Sequence, residues 1–299
     1  MINRRTDLAV EAHQLWRDGA QKTTELSGVE ARDQTRHGCP VTVVNVLNGE
    51  GAQAIGKPVG CYVTVEMTNL RRRDDESFEK IVLAVSEELK AMVGAPGSVM
   101  VVGLGNREIT PDAVGPIAVE KTIATRHLIH HHPEYFGHMR PVAAITPGVL
   151  GSTGIESVDV IRGVANRVRP DLLIVVDALA SRKLSRLCTT VQITDTGIVP
   201  GSGVGNARAA LNRDTLGIPV LALGIPTVVD AGTLAADLFE EAGHGEISAE
   251  SLSALGGSLI VTPKDIDTLV AEAGRVVGYA INLALHDRIG IADLPGFLS

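Results

Sequence analysis

The sequence predicts an α/β fold of three layers, in which helices cover both faces of a largely parallel sheet, with a small antiparallel strand element beside it. From Val99 onward, short apolar runs alternate with longer segments of helical spacing, which is typical of such a sheet. The run "LLIVVDAL" (172–179) is almost continuously apolar, as expected for a strand buried on both faces. Two earlier strand candidates, residues 41–47 and 61–67, flank a glycine-containing loop and predict a hairpin or a sheet edge.

The remaining elements follow in chain order. Strands are predicted at residues 99–102, 142–146, 172–179, 188–193 and 218–226. Helices are predicted at residues 10–20, 77–93, 113–129, 155–168, 228–241 and 265–286, with Ser77 as a cap and Gly94 ending the second of them. Residues 240–258 have the composition of an exposed connection.

Composition excludes several classes of function. The net charge of the 299 residues is −8, and no basic stripe with aromatic residues is present, so nucleic acid is not expected as a direct partner. No apolar run approaches the roughly 18 residues of a membrane span, and the N-terminus lacks an apolar signal region, which predicts a cytoplasmic protein. Cys39, Cys61 and Cys188 are too widely spaced for a disulfide framework or a zinc knuckle.

Two carboxylates follow predicted strands. In "VVGLGNREITPDAVGP" (101–116) the glycine turn lacks the third glycine of a dinucleotide fingerprint, and Asp112 arrives instead. Asp177 directly follows the run "LLIVV" at the predicted C-terminal end of a strand. Ligands of α/β sheets bind beyond such strand ends. Two carboxylates that share a site cannot both ionise cheaply, so one can activate water while the other holds a proton. The alternative for each aspartate is a helix cap or a bond to loop amides.

Three other patterns are weaker. "DTG" at Asp195 is the tripeptide of pepsin-like proteases, but those need two copies in an all-β fold, so a turn is favoured. "GSGVGN" (201–206) lacks the Lys-Ser/Thr of a phosphate loop. The histidines at residues 127 and 130–132 have no matching carboxylate cluster, which favours an exposed helix end over a metal site.

The chain resembles the germination protease family of spore-forming bacteria over nearly its whole length. The resemblance is carried by "RTDLAVEA" (5–12), "GLGN" (103–106), "TPDAVGP" (110–116), "TPGVLGSTGIES" (146–157), "VVDALASR" (175–182), "DTGIVPGSGVGNAR" (195–208), "LGIPTVVDA" (223–231) and "VTPKDID" (261–267). It implies an atypical aspartic endopeptidase that cuts small acid-soluble spore proteins when germination begins. The implied catalytic residues are Asp112 and Asp177, with no cofactor and no metal.

The resemblance also implies a fold similar to that of the hydrogenase maturation endopeptidases, which use acidic residues and a histidine around nickel. No histidine occupies the matching block here, so a metal-dependent endopeptidase is the second hypothesis. A third is a non-catalytic α/β module that binds an anionic ligand with the "GSGVGN" loop.

Family members are made as self-processed zymogens and form homotetramers in the spore core. "TDLA" at residues 6–9 resembles the substrate motif Thr-Glu-(apolar)-Ala, so we expect cleavage between Asp7 and Leu8. Residues 1–7 are then the propeptide and residues 8–299 a single peptidase domain. A weaker copy of the motif, "TELS" (24–27), has Ser27 in place of the alanine.

Overall fold

The structure is a computed structural model, and it describes residues 6–20, 26–202, 205, 207–242 and 259–298. Its strands are β1 (Val29–Arg36), β2 (Cys39–Val46), β3 (Gly60–Glu66), β4 (Val99–Gly103), β5 (Val142–Ile145), β6 (Leu172–Ser181), β7 (Thr190–Thr194), β8 (Val220–Asp230) and β9 (Ile260–Val261). Its helices are α1 (Ala9–Ala20), α2 (Gly49–Ile55), α3 (Asp75–Val93), α4 (Val114–Glu120), α5 (Arg126–His131), α6 (Pro133–Phe136), α7 (Leu150–Thr153), α8 (Ser157–Val168), α9 (Arg213–Leu216), α10 (Ala231–Glu241), α11 (Ile266–Leu285) and α12 (Leu294–Phe297).

All described strands join one mixed sheet, whose order is β1-β2-β3-β7-β8-β6-β4-β5, with β9 added beside β8. The strands β8, β6, β4 and β5 run parallel to one another. The predicted antiparallel element is β2-β3. The strand β1, which was not predicted, pairs with β2, and β3 continues through β7 to meet β8, all antiparallel. The α/β class and the parallel core are therefore confirmed, and the antiparallel part is larger than expected and belongs to the same sheet.

Helices cover both faces because side chains alternate along each strand. In β4, Val99 and Val101 pack into the core under α3, α4 and α11, whereas Met100 and Val102 pack with residues of α8. The helices α1 and α2 cover the second face over β2 and β3. This arrangement gives the three predicted layers.

The parallel pairing of β4 and β6 brings the two predicted aspartates to the same edge of the sheet. Gly103 lies opposite Val176, and the N–H of Leu104 donates to the carbonyl of Val176 at 2.8 Å. Asp177 is the next residue of β6, while Asp112 ends a short 3-10 turn, Thr110–Asp112, between β4 and α4. A Cβ on Gly115 would lie 2.2 Å from the Leu104 carbonyl oxygen, so only glycine lets α4 pack this closely beside the turn.

The predicted helix at residues 113–129 is two helices, α4 and α5, because tertiary contacts satisfy the backbone between them. The Asn282 side chain accepts from the N–H of Ile123 and donates to the carbonyl of Lys121, both at 2.8 Å. The Thr125 hydroxyl accepts from the N–H of Val142 at the start of β5. The cap of α3 also differs: Asp74 accepts from the N–H of Ser77, so Ser77 is not the cap itself.

Other expectations agree with the described residues. The three cysteines are unpaired with one another, and the histidines at 127 and 130–132 are exposed around the end of α5. No helix in the described part of the chain is long and apolar enough to cross a membrane. The connection predicted at 240–258 lies largely outside the described residues, as do Thr24 and Glu25 of the second cleavage motif.

Candidate active site

A cavity of about 450 Å³ opens beyond the end of β4 and beside the second half of β6, and four carboxylates line it, those of Asp7, Asp112, Glu156 and Asp177. Asp112 and Asp177, which the sequence placed at strand ends, both line it, and Asp7 from the N-terminal segment lines it as well. Its walls are mostly apolar, with Leu104, Leu179 and Leu211 among them. Charges inside such a wall interact more strongly than they would in water.

Asp112 is half-buried, and its carboxylate is fixed by the turn that carries it. Its Oδ2 accepts a hydrogen bond of 2.7 Å from the N–H of Asn106. The turn depends on Gly105, which has φ +106° and where a Cβ would lie 2.0 Å from the carbonyl oxygen of Asp112. Burial raises the pKa of Asp112, and the Asn106 N–H opposes this rise because it stabilises the ionised form.

Asp177 is more deeply placed, with 5% of its surface exposed. Its Oδ1 accepts a hydrogen bond of 2.9 Å from the N–H of Ala178. Burial raises the pKa of Asp177 well above its usual value, and the negative charges of Asp112 and Asp7 raise it further. Asp177 therefore keeps its proton to a higher pH than Asp112 does.

Asp7 is held in the cavity through both its backbone and its carboxylate. Its N–H donates to the carbonyl of Ala180, and its Oδ2 accepts from the N–H of Ala180, both at 2.9 Å. Its Oδ1 accepts from the Ser202 hydroxyl at 2.8 Å. Ala180 is available for these bonds because its backbone faces the β4 side of β6, and β4 pairs with β6 only as far as Gly103 and Val176.

The peptide group between Asp7 and Leu8 is bound on its other side by two side chains. The carbonyl oxygen of Asp7 accepts from Lys57 Nζ at 3.0 Å and from Gln192 Nε2 at 3.3 Å. Lys57 also donates to the carbonyl of Thr6 at 3.1 Å, and Gln192 Oε1 accepts from the N–H of Ala9 at 2.7 Å. No local pattern marks Lys57 or Gln192, since both reach this peptide group from strands or loops distant in sequence.

Glu11 anchors the same segment to the end of β6. It is 1% exposed, and its carboxylate accepts from the Thr6 hydroxyl at 2.5 Å and from the N–H groups of Arg182 at 2.7 Å and Lys183 at 3.1 Å. Thr6 Oγ1 in turn accepts from the N–H of Leu8 at 3.1 Å. Leu8 itself is fully buried. The first turn of α1 and the predicted cleavage bond are therefore parts of one packed unit.

Of the weaker sequence patterns, "GSGVGN" contributes residues to the cavity, whereas Asp195 of "DTG" does not line it. Asp195 of "DTG" lies just after β7, where its Oδ1 accepts from the N–H of Cys61 at 2.9 Å. From the "GSGVGN" stretch, Gly201 and Ser202 line the cavity, and residues 203, 204 and 206 lie outside the described part of the chain. Among the described residues, no three His, Cys, Asp or Glu side chains are grouped so that they could hold a metal ion.

Comparison with known proteins assigns the family. The family model described as germination protease matches residues 9–242. The chain belongs to the germination protease family. It is 43% identical to the germination protease of Caldanaerobacter subterraneus subsp. tengcongensis, with 94% of each chain covered. It is 39% identical to that of Clostridium tetani, with 99% of each chain covered.

The chain is also similar to two further proteins. The germination protease of Bacillus velezensis is 39% identical to this chain over 95% of it and 94% of the relative. A solved structure, the [NiFe] hydrogenase maturation protease HycI from Thermococcus kodakarensis KOD1, is similar with a TM-score of 0.39 at 16% identity, over 66% of this chain and 98% of that one. As a member of the germination protease family, the chain is a protease. The cavity that contains Asp112 and Asp177 is the candidate place for peptide hydrolysis.

Proposed function

We propose that this chain is an endopeptidase that initiates degradation of small acid-soluble spore proteins during germination, with Asp112 and Asp177 acting together on water. The observation that carries the proposal is that both carboxylates line one cavity in environments that separate their protonation states. Pairs of carboxyl groups whose pKa values are pushed apart are suited to general base and general acid roles.

The chemical steps follow from that difference. The ionised Asp112 accepts a proton from water while the water oxygen bonds to the carbonyl carbon of the substrate. Asp177 gives its proton to the leaving nitrogen as the C–N bond breaks and the carbonyl re-forms. The products are a carboxylic acid and an amine, and transfer of the proton from Asp112 back to Asp177 restores the starting state.

The same chain is proposed to be its own first substrate. Residues 1–7 form the propeptide, residues 8–299 the peptidase domain, and the bond between Asp7 and Leu8 is cut. The support is that Asp7 lines the cavity with Asp112 and Asp177, so that the N-terminal segment occupies the place of a substrate. The donors on the Asp7 carboxylate, the Ala180 N–H and the Ser202 hydroxyl, suit an acidic residue before the cut bond.

The family resemblance supports the remaining parts of the proposal. It implies a homotetramer that resides in the spore core, and light scattering on the purified chain would measure that assembly. Neither nucleic acid nor a membrane is proposed as a partner.

The test is hydrolysis of a purified small acid-soluble spore protein by Asp112→Asn and Asp177→Asn. Each substitution is expected to lower turnover by at least about 10³-fold, because groups that act as a unit lose most of the rate when one is removed. The matched control is Asp195→Asn, which keeps an acceptor for the Cys61 N–H and should retain activity. Circular dichroism establishes that the variants are folded.

Near-normal turnover by either Asp112→Asn or Asp177→Asn would overturn the aspartic mechanism. Inhibition of the wild-type chain by a chelator, reversed by an added divalent metal, would instead favour the metal-dependent mechanism. We expect the chelator to leave the wild-type activity unchanged and both Asp112→Asn and Asp177→Asn to be inactive.

A further inference from the structure

We propose that Lys57 and Gln192 bind the carbonyl oxygen of the bond to be cut and stabilise the negative charge that forms on it. This inference rests on the proposed self-cleavage between Asp7 and Leu8, and it adds two residues to the machinery of that reaction. Lys57 lies in the segment between α2 and β3, whereas Gln192 lies on β7.

The first argument is the position of the Gln192 amide. Its Nε2 donates to the carbonyl oxygen of Asp7, immediately before the predicted bond, and its Oε1 accepts from the N–H of Ala9, immediately after Leu8. Gln192 is buried, with 5% of its surface exposed. One side chain thereby fixes the chain on both sides of the predicted bond.

The second argument is the environment of the Lys57 ammonium. Its hydrogen bonds in the described part of the chain go to the carbonyl oxygens of Thr6 and Asp7, which are neutral acceptors. Burial lowers the pKa of Lys57, and the carboxylates of Asp7 and Glu11 oppose that effect through space. An enclosed cation is costly unless it is compensated, so an ammonium aimed at peptide carbonyls indicates a role that involves those carbonyls.

The third argument is what cleavage removes. Thr6 and Asp7 both belong to the predicted propeptide, so the processed enzyme loses both carbonyls that Lys57 contacts. A substrate bound in the same way would supply the equivalent pair, and its carbonyl before the cut bond would again meet Lys57 and Gln192. Lys57 is thus placed to contact any chain that enters the cavity in the manner of residues 6–9.

The chemistry of hydrolysis needs such a group. When the water oxygen bonds to the carbonyl carbon, the carbonyl oxygen becomes an oxyanion before the C–N bond breaks. An ammonium and an amide N–H that already point at that oxygen stabilise the oxyanion without rearrangement. Asp112 then accepts the proton of water and Asp177 donates a proton to the leaving nitrogen. Lys57 and Gln192 stabilise the negative charge of the oxyanion.

The test measures the rate constant of self-cleavage of the full chain by intact mass, under conditions in which the wild-type chain loses Met1–Asp7. Lys57→Met keeps the apolar stem and removes the charge, and we expect a fall of about 10²–10³-fold. Gln192→Glu keeps an acceptor for the Ala9 N–H and loses the donor, and we expect a fall of at least about tenfold. The matched controls are the exposed Lys80→Met and Gln53→Glu, which should change the rate less than about twofold.

Chemical rescue separates this role from a structural one. Lys57→Ala leaves space for a small amine, so ethylammonium added to this variant should restore self-cleavage in a concentration-dependent way, whereas Lys80→Ala should not respond. Melting temperatures are measured in parallel. A rate loss that follows the loss of thermal stability across the Lys57 variants, without rescue, would overturn the inference.

Two comparisons keep this inference distinct from the proposed function. If Asp112→Asn is inactive and Lys57→Met cleaves itself at the wild-type rate, the inference alone is wrong. If Asp112→Asn cleaves itself normally, the aspartic mechanism is wrong regardless of Lys57. If the wild-type chain never cuts the Asp7–Leu8 bond, both self-processing and this inference are wrong, and hydrolysis of a spore protein still reports on the endopeptidase activity.

Discussion

The N–H of Asn106 donates a 2.7 Å hydrogen bond to Oδ2 of Asp112. This bond stabilises the ionised form of Asp112, whereas burial and the neighbouring charges of Asp112 and Asp7 favour the protonated form of Asp177. This difference is what the proposed mechanism requires, with Asp112 as the base and Asp177 as the acid.

The first prediction is a bell-shaped dependence of the hydrolysis rate on pH. Activity should fall on the acid side as Asp112 gains a proton, and on the alkaline side as Asp177 loses its proton. Because both pKa values are raised, both limbs should lie above the usual range of aspartate. Initial rates on a spore-protein substrate measure the profile, and a rate that rises steadily into strongly alkaline pH would contradict it.

The second prediction concerns stability. The folded protein raises the pKa of Asp177, so between the unfolded pKa and the folded pKa the unfolded chain releases a proton that the folded chain keeps. The free energy of unfolding therefore falls as pH rises through this window. Asp177→Asn lacks the titrating group, so its advantage in melting temperature over the wild-type chain should be small near pH 4 and larger at pH 7. An advantage that does not change with pH would show that Asp177 is not protonated preferentially in the fold.

The third prediction concerns the turn that carries Asp112. Gly105→Ala places a methyl group in strained backbone and against the carbonyl of Asp112, so we expect a loss of about 1–3 kcal/mol and at least a tenfold loss of activity. The matched control is Gly163→Ala in α8, where a Cβ meets nothing within 4 Å. That variant should be neutral or more stable by about 0.5–1 kcal/mol.

Urea unfolding measures the stability of both glycine variants, and initial rates measure their activity. If Gly105→Ala and Gly163→Ala have the same stability and activity, the steric argument is wrong.

These residues illustrate what the sequence can and cannot predict. Asp112 and Asp177 were predicted because apolar runs mark β4 and β6, and the ends of parallel strands meet at one edge. Asp177 does not end its strand as predicted, since β6 continues to Ser181, but it lies just beyond the end of the neighbouring β4. The placement of Asp7 in the cavity was not predicted, because it depends on where β4 ends beside β6 and leaves the backbone of Ala180 unpaired on that side. Lys57 and Gln192 reach the segment across 50 and 185 residues of sequence, and no local periodicity encodes such contacts.

The interruption between α4 and α5 also results from a contact between residues that are distant in sequence. Residues 113–129 have helical spacing, but the side chain of Asn282 binds the backbone of Lys121 and Ile123 and replaces the helical bonds there. A single polar residue far along the chain therefore overrides the local preference, and the pattern of apolar residues contains no sign of it.

The fourth prediction concerns Glu11. Glu11→Ala removes a buried carboxylate that accepts hydrogen bonds from the Thr6 hydroxyl and from two backbone N–H groups. It also removes the ion pair of Glu11 with Arg186, whose Nε lies 3.5 Å away. We expect a loss of about 3–5 kcal/mol of stability, since the donors left behind are buried. The control is Glu79→Ala on the exposed face of α3, which should lie within about 0.5 kcal/mol of wild type. Denaturant unfolding checks both, and a Glu11→Ala protein as stable as the control would refute the anchoring role.

The fifth prediction concerns self-processing. Under activating conditions the intact mass should fall by that of Met1–Asp7, which leaves Leu8 as the new N-terminus. The Asp112→Asn variant should remain at full length. Cleavage after Glu25 alone, or trimming that continues in Asp112→Asn, would show that the assigned bond is wrong or that another protease cuts it.

The burial of Leu8 has a consequence for the kinetic order of the proposed processing. Leu8 and Ala9 are fully buried, and Asp7 already lies beside the carboxylates of its own chain. A second molecule could reach this bond only after the segment unfolds locally, whereas the chain that carries the bond needs no encounter. If the bond is cut in the folded chain, its half-time is then independent of protein concentration, and dilution leaves it unchanged. The rate of self-cleavage would then be the same in a crowded compartment and in a dilute one.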